Sequence, residues 1–400
     1  MATVSPWQAR ARPAPSASAP SACDVAIVGA GIAGASAAYA LRELAPELRV
    51  AVLEASAPAA GASGRNAGFL LVGTAQDYAA AVDAYGRDRA RRLWAFTGEA
   101  VRRAARPELG ASRAALVGSV VAAGSPGEAQ RLDRAHALMA DDGFASELLR
   151  GGAVEARTGL AGFERALVVE TGGRVDPLRL VRAALAESRA AVVTGWRLTA
   201  VEAGGGDVRL ASADGRELRA GRALLALGAH VGEVVPALAP LARPVRAQML
   251  ATAPVVARLP LPVYSHEGHF YLRAHAGRVL LGGARHLHAD AEVGLEDATT
   301  DRLQRDLEAY LARHLPGAAG VAVERRWSGA MSFSPDGLPV LGAVPGVPGA
   351  WWAGGFTGHG MGFGLRFGEL AARRLLGLPD PDADLFDARR FEAEATRAPA

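Results

Sequence analysis

Asp24-Val25-Ala26-Ile27-Val28-Gly29-Ala30-Gly31-Ile32-Ala33-Gly34 is the stretch that decides the fold. Asp24–Val28 reads as a short strand, Gly29–Gly34 as a glycine-rich turn, and 32–44 as a helix that stops before Pro46. Residues 49–53 read as a second strand ending in Glu54. A strand–turn–helix–strand unit of this size is a parallel βαβ crossover. Gly29 permits the tight turn, Gly31 lets backbone approach a pyrophosphate, and Gly34 lets helix and strand pack closely. The helix start then presents free N–H groups and a partial positive charge to phosphate. Glu54, twenty residues after Gly34, is placed to accept hydrogen bonds from ribose hydroxyls. An acid there disfavours a 2′-phosphate. Gly29, Ala30, Gly31, Ile32, Ala33, Gly34, Glu54 and Ala55 are therefore the expected dinucleotide site.

Outside this unit the composition bounds the reading. The chain has 400 residues, half of them hydrophobic and 21% charged, as in a globular protein with a large core. No apolar run is long enough for a membrane span. Lysine is absent, so all 44 basic residues are arginine, and the net charge of +3 gives no reason to expect a nucleic-acid partner. The Arg-rich stretch 87–106 reads as the solvated face of a helix. The lone Cys23 excludes an intrachain disulfide and fits a reducing compartment, so the expected location is the cytoplasm. Residues 1–22, rich in Ala, Pro and Ser and lacking an apolar core, read as a disordered tail rather than a secretory signal.

The remaining pattern alternates. A second glycine-rich loop, Gly61–Gly68, follows the acidic strand. The chain from 74 to 110 is mostly helical, Asp176-Pro177 opens another helix, and strands cluster at 191–226 and 249–282. This predicts a mixed α/β protein: a Rossmann-like dinucleotide-binding domain, read below as FAD-binding, carrying an inserted, mainly antiparallel β-sheet substrate domain. The cofactor domain is expected in three pieces, 23–75, 171–245 and 331–385. The substrate domain takes 76–170 and 246–330, and 386–400 is a C-terminal tail.

The first motif alone does not separate NAD from FAD. The loop Gly61–Gly68, the cap Asp176-Pro177-Leu178, the apolar strand ending at Gly228, and the run Asp336–Gly342 followed by Gly354-Gly355-Phe356-Thr357-Gly358-His359-Gly360-Met361 favour FAD. With these motifs in order, the chain resembles the D-amino-acid-oxidase superfamily of flavoenzymes, which includes glycine, sarcosine and γ-glutamylputrescine oxidases. Ala62–Gly68, Trp7 and Tyr271-Leu272-Arg273 are most similar to the last branch. The resemblance covers about 24–376. It implies FAD held by Ser63, Gly64, Arg65 and Asn66 along the pyrophosphate and flavin edge, by Gly228 and Gly337, and by Gly358, His359, Gly360 and Met361 at the pyrimidine end. Arg65 and His359 are the implied electrostatic supports of the reduced flavin, and hence the catalytic candidates. Phe69, Tyr271, Arg273, Met331 and Phe333 are the expected substrate pocket.

Departures from the family pattern shape the expected chemistry. Gly329 and Ala330 stand where some members carry a flavin-linking cysteine, so FAD is expected to be non-covalent. Leu280 replaces the oxygen-activating lysine, which leaves oxygen or another acceptor open. Met331 and Gly362 replace the two known carboxylate clamps. The four histidines 266, 269, 286 and 288 match no closed metal site. The expected reaction is oxidation of a primary or secondary amine to an imine, by hydride transfer to flavin N5 and then hydrolysis. Any acid group of the substrate lies far from the reacting carbon. The alternatives are an amino-acid oxidase or dehydrogenase with Arg273 as the clamp, a non-catalytic flavin-binding subunit, and a nicotinamide dehydrogenase.

Overall fold

The computed structural model describes residues 3–13 and 15–392. The βαβ unit forms as its sequence dictates. Ala22–Val28 and Val50–Glu54 are parallel neighbours joined through the helix Ile32–Leu44. Gly29 adopts φ +106°, and a Cβ there would lie 2.4 Å from the carbonyl oxygen of Ala226. At Gly34 a Cβ would lie 2.0 Å from the Gly29 carbonyl oxygen, so only glycine lets the helix start so close to the strand.

Eight strands make the first sheet. Its main path runs Val340–Ala343, Ala350–Gly354, Glu217–Leu225, Ala22–Val28, Val50–Glu54, Ala191–Thr194, with the hairpin Leu198–Gly204 and Asp207–Ser212 attached beside Glu217–Leu225. The strands that surround the dinucleotide turn are parallel, which points their C-terminal ends to one edge. A second eight-stranded sheet runs Val323–Phe333, Arg243–Thr252, Arg278–Gly283, Phe270–His275, Val263–Ser265, Ser119–Ala122, Arg165–Val169, Ser146–Arg150. It is antiparallel except where Val263–Ser265 meets Ser119–Ala122. Side chains alternate across this sheet. Leu250, Leu272 and Leu281 fill an apolar core on one face. Met249, Tyr264 and Tyr271 lie on the other face, toward the first layer.

Two glycines join the helices that carry the site. In the helix Gly360–Leu376, a Cβ on Gly364 would strike Ile32 at 2.4 Å, and one on Gly368 would strike Ser36 at 2.3 Å. Each glycine costs about 1 kcal/mol of helix propensity. The return is direct contact of this helix with Ile32–Leu44, which holds both helix starts at one place.

Three expectations need correction. Residues 1–22 are not a loose tail over their described part. Trp7 is 3% exposed, and its indole Nε1 donates to the Asn66 carbonyl at 2.8 Å. Ser5 donates to the Gly64 carbonyl at 2.6 Å, Gln8 to the Ala60 carbonyl at 2.8 Å, and Ala17 pairs with Val192. The C-terminal tail does not begin at 386 either. Phe386 is fully buried and Arg390 is paired with Asp336 at 2.7 Å, while 393–400 lie outside the described residues. The helix Arg87–Ala104, placed by its sequence position in the substrate domain, packs on Gly360–Leu376 of the first layer. Its buried face of Leu93, Phe96 and Val101 explains why.

Candidate active site

The dinucleotide end is built from backbone. The Ile32 amide donates to Ser63 Oγ at 2.9 Å, which caps the first helix from the second glycine loop. The amides of Gly31, Ala33 and Gly34 have no protein acceptor among the described residues. Glu54 accepts from the Ala30 amide at 2.9 Å and the Ser56 amide at 2.8 Å, which fixes the carboxylate at the strand end. Asn66 ties its own loop, donating to the Ser63 carbonyl at 2.9 Å and accepting from the Gly68 amide at 2.7 Å. A bare turn with free amides fits a pyrophosphate. These residues fit a dinucleotide cofactor.

A cavity of about 440 Å³ starts here and runs to the aromatic face of the second sheet. Of the expected residues, Gly31, Ile32, Ala33, Ser63, Arg65, Asn66 and Gly228 line it toward the dinucleotide turn. Gly358, His359, Gly360 and Met361 line it from the second helix start, and Phe69, Tyr271, Met331 and Phe333 from the sheet side. Gly29, Ala30, Gly34, Glu54 and Gly64 stand behind that lining and shape it. Ala55 is exposed past the strand end. Gly337 is not at the cavity: it turns at φ +80° beside Tyr85, whose hydroxyl donates to the Asp336 carbonyl at 3.0 Å.

Arg273 is the clearest correction. It is 5% exposed and donates to the carbonyls of Gly68 at 2.6 Å and Val175 at 2.9 Å. Burial pushes its guanidinium down to about 10. The side chain fastens the second glycine loop to the sheet and does not reach the cavity. It is therefore neither a pocket residue nor a carboxylate clamp.

The two catalytic candidates also change character. Arg65 lines the cavity, but its charge is met by Asp297 at 2.9 Å and its N–H groups by the carbonyls of Ala60 and Ser328. Burial raises the Asp297 carboxyl, and hydrogen bonds from Thr3 and Ser328 with the Arg65 charge more than reverse this, so it remains an anion. His359 donates Nδ1–H to the Thr357 carbonyl at 3.1 Å. Burial holds its imidazole below the ordinary histidine range and that hydrogen bond only partly offsets it. His359 is thus a neutral ring with Nε2 left as an acceptor, not a cation. The free amides of Gly360 and Met361 at the helix start are the positive element on this wall.

From sequence, Tyr264, Phe270 and Tyr271 are aromatic enough to line a pocket or to pack a core, and Arg285 is one of two arginines able to supply charge; the structure brings Tyr264, Tyr271 and Arg285 to one cavity. Tyr264 stands opposite Tyr271 in the strand register, with ring centroids 5.7 Å apart. Arg285 follows the bend at Gly283 (φ +130°) and Ala284 (φ +58°) and lies 5.1 Å over the Phe333 ring. Three arginines, Arg273, Arg278 and Arg285, crowd this stretch of sequence, and only the folded chain shows which one reaches the cavity. Cys23 lies in the first strand, away from the cavity, and burial pushes its thiol up to about 11. Among the described residues no group of His, Cys, Asp and Glu could hold a metal ion, and no helix is long and apolar enough to cross a membrane.

A parallel sheet with a glycine-turn cradle, a second helix start and an aromatic sheet face surround one cavity, the arrangement of a dinucleotide-cofactor protein with a pocket beside the cofactor site. The family model described as FAD dependent oxidoreductase matches residues 24–374, and the chain belongs to that family. The γ-glutamylputrescine oxidoreductase of Escherichia coli K12 is 28% identical over 388 residues, covering 92% of this chain and 85% of that one. A glycine oxidase of Pseudomonas aeruginosa is 30% identical over 213 residues, spanning 50% of this chain and 55% of the relative's own length. The L-proline dehydrogenase structure from P. horikoshii superposes with a TM-score of 0.78 at 20% identity, over 94% of this chain and 99% of that one, and confirms the fold. The protein is an FAD-dependent oxidoreductase.

Proposed function

We propose that this protein oxidises the carbon next to nitrogen in a primary or secondary amine, giving an imine that water then hydrolyses. The observation that carries the reading is the single cavity joining the dinucleotide cradle to the tyrosine-lined sheet face. FAD, when bound along Gly31, Ser63, Asn66 and the Gly358–Met361 turn, supplies the two-electron acceptor. The chain's own groups orient the substrate. Tyr264 and Tyr271 are held protonated by burial, Tyr271 pushed up to about 12, so both phenols are hydrogen-bond donors and neither is a base. His359 Nε2 is an acceptor on the facing wall. Glu267 lines the cavity mouth, but its carboxylate pairs with Arg131 at 2.9 Å. With no free carboxylate inside among the described residues, the amine reacts as the neutral base, and the aromatic walls limit water around it.

A non-catalytic flavin subunit is disfavoured because the cavity extends well past the cradle. The amino-acid reading through Arg273 loses its clamp. Non-covalent attachment agrees with the position of Cys23. Location in the cytoplasm rests on the lone buried cysteine. The test is the visible spectrum of the purified protein under anaerobic conditions, before and after a panel of amines and amino acids. Flavin bands that bleach with primary or N-alkyl amines are expected. A flavoprotein that no amine or amino acid bleaches would overturn the proposal.

A further inference from the structure

The cavity contains one cation with no counter-ion. Two arginines line it, Arg65 and Arg285. Arg65 is neutralised by Asp297. Arg285 makes no ion pair and donates no hydrogen bond to protein among the described residues; its guanidinium lies over the Phe333 ring. The carboxylate whose field reaches it, Glu292, is fully buried and already bound by Arg246 at 3.0 Å and Gln248 at 2.7 Å. A partly buried guanidinium left without an anion is costly unless something else supplies one. Five N–H donors in a planar fork suit a carboxylate in two-point contact.

The neighbours complete an anion site. Tyr271 feels the Arg285 charge. Its ring crosses the adjacent strand at Gly282, where a Cβ would lie 2.3 Å from the ring and 2.7 Å from the hydroxyl oxygen. Glycine at 282 therefore permits that ring position. The Tyr271 and Tyr264 hydroxyls have no protein partner among the described residues, and both side chains line the cavity. The Arg285 guanidinium thus offers donors only, and the Tyr271 phenol adds an O–H donor beside it. We propose that Arg285, with the Tyr271 hydroxyl, is the specificity-determining group of this enzyme, and that it selects amines that also carry a carboxylate. The inference rests on the reading of the cavity as an amine-oxidising site, and it puts the anion contact on the strand Arg278–Gly283 and its exit. It does not lie on the strand Val323–Phe333 or the helix Gly360–Leu376, whose positions 331 and 362 are Met and Gly.

The experiment uses the oxidised holoenzyme and needs no turnover. Straight-chain carboxylates from acetate to hexanoate are titrated, each against its own amide, and binding is followed by perturbation of the flavin band and by calorimetry. Wild type is expected to bind at least one carboxylate and none of the amides at comparable concentration. Arg285→Gln should weaken that carboxylate at least tenfold with flavin content unchanged, and Arg285→Lys should recover part of the loss. Equal binding of acid and amide, no binding of any carboxylate, or an unchanged constant in Arg285→Gln would each overturn it. The wild-type comparison stands even if the Gln variant fails to fold. Carboxylates held through Arg285 in a protein whose flavin no amine bleaches would sink the proposed reaction and leave this site standing.

Discussion

At the residue scale, two positions separate structure from chemistry. Gly34 has no room for a methyl group, since its Cβ would lie 2.0 Å from a backbone oxygen that the turn holds in place. Gly34→Ala is expected to open the turn and cost at least tenfold in FAD affinity, measured by flavin retention on gel filtration and by titration of the apoprotein. Native flavin content in the variant would show that the turn is looser than this contact implies. Arg273 makes the opposite case. It carries charge-assisted hydrogen bonds to Gly68 and Val175, each worth roughly 1.5–3 kcal/mol. Arg273→Gln should therefore lower the unfolding midpoint by several degrees while KM for a good substrate moves less than twofold. A sharp KM rise at unchanged stability would restore Arg273 to the pocket. The family resemblance placed Arg273 in the pocket with Tyr271. It carried no sign that the loop carbonyls of Gly68 and Val175 would come down onto that guanidinium.

At the element scale, the N-terminal segment and the C-terminal helix act on the same glycine loop from two sides. Thr3 reaches Asp297 and Arg65, while Ser5, Trp7 and Gln8 bond to carbonyls between Ala60 and Asn66. The segment straps the loop that is expected to lie along the cofactor. Removing residues 2–10 should speed FAD release at least fivefold, read as flavin fluorescence appearing after dilution, with the far-ultraviolet spectrum preserved. Unchanged release would make the strap only decorative. This element was illegible in sequence because its anchors are hydrogen bonds to a distant backbone, which leave no apolar periodicity. The βαβ unit was legible, its helix to the residue and its strands to within two, because its turn chemistry is local. Val323–Phe333 fell between. One face carries Trp327, Gly329, Met331 and Phe333, its other face mixes Glu, Arg, Ser and Ala, and only the pairing with Arg243–Thr252 makes it a strand.

At the scale of the whole molecule, the two layers meet where several histidines are kept neutral, and this gives stability a pH dependence. His275 packs against Trp7 with centroids 4.4 Å apart and the rings tilted by 55°, so it touches the strap from the second sheet. Burial, helped by the charges of Arg273 and Arg10, pushes it down from 6.5 to about 4. His286, stacked on His269, is pushed to about 4 by burial and by the neighbouring histidines. Between these values and 6.5 the unfolded chain binds protons that the folded chain refuses, so stability rises with pH across that window. The contribution is complete above about pH 6.5 and is lost progressively as pH falls toward 4. Both rings are partly exposed, which makes the effect smaller than the shifts alone suggest. The unfolding midpoint should fall by a few degrees between pH 7 and pH 5, and His275→Asn should make that slope shallower. Because His275 supports Trp7, flavin release should also quicken over the same interval in wild type and lose that dependence in the variant. A midpoint that holds level from pH 7 to 5, or a variant with the same slope, would mean that these rings are hydrated in the folded protein and that the strap is held by its hydrogen bonds alone.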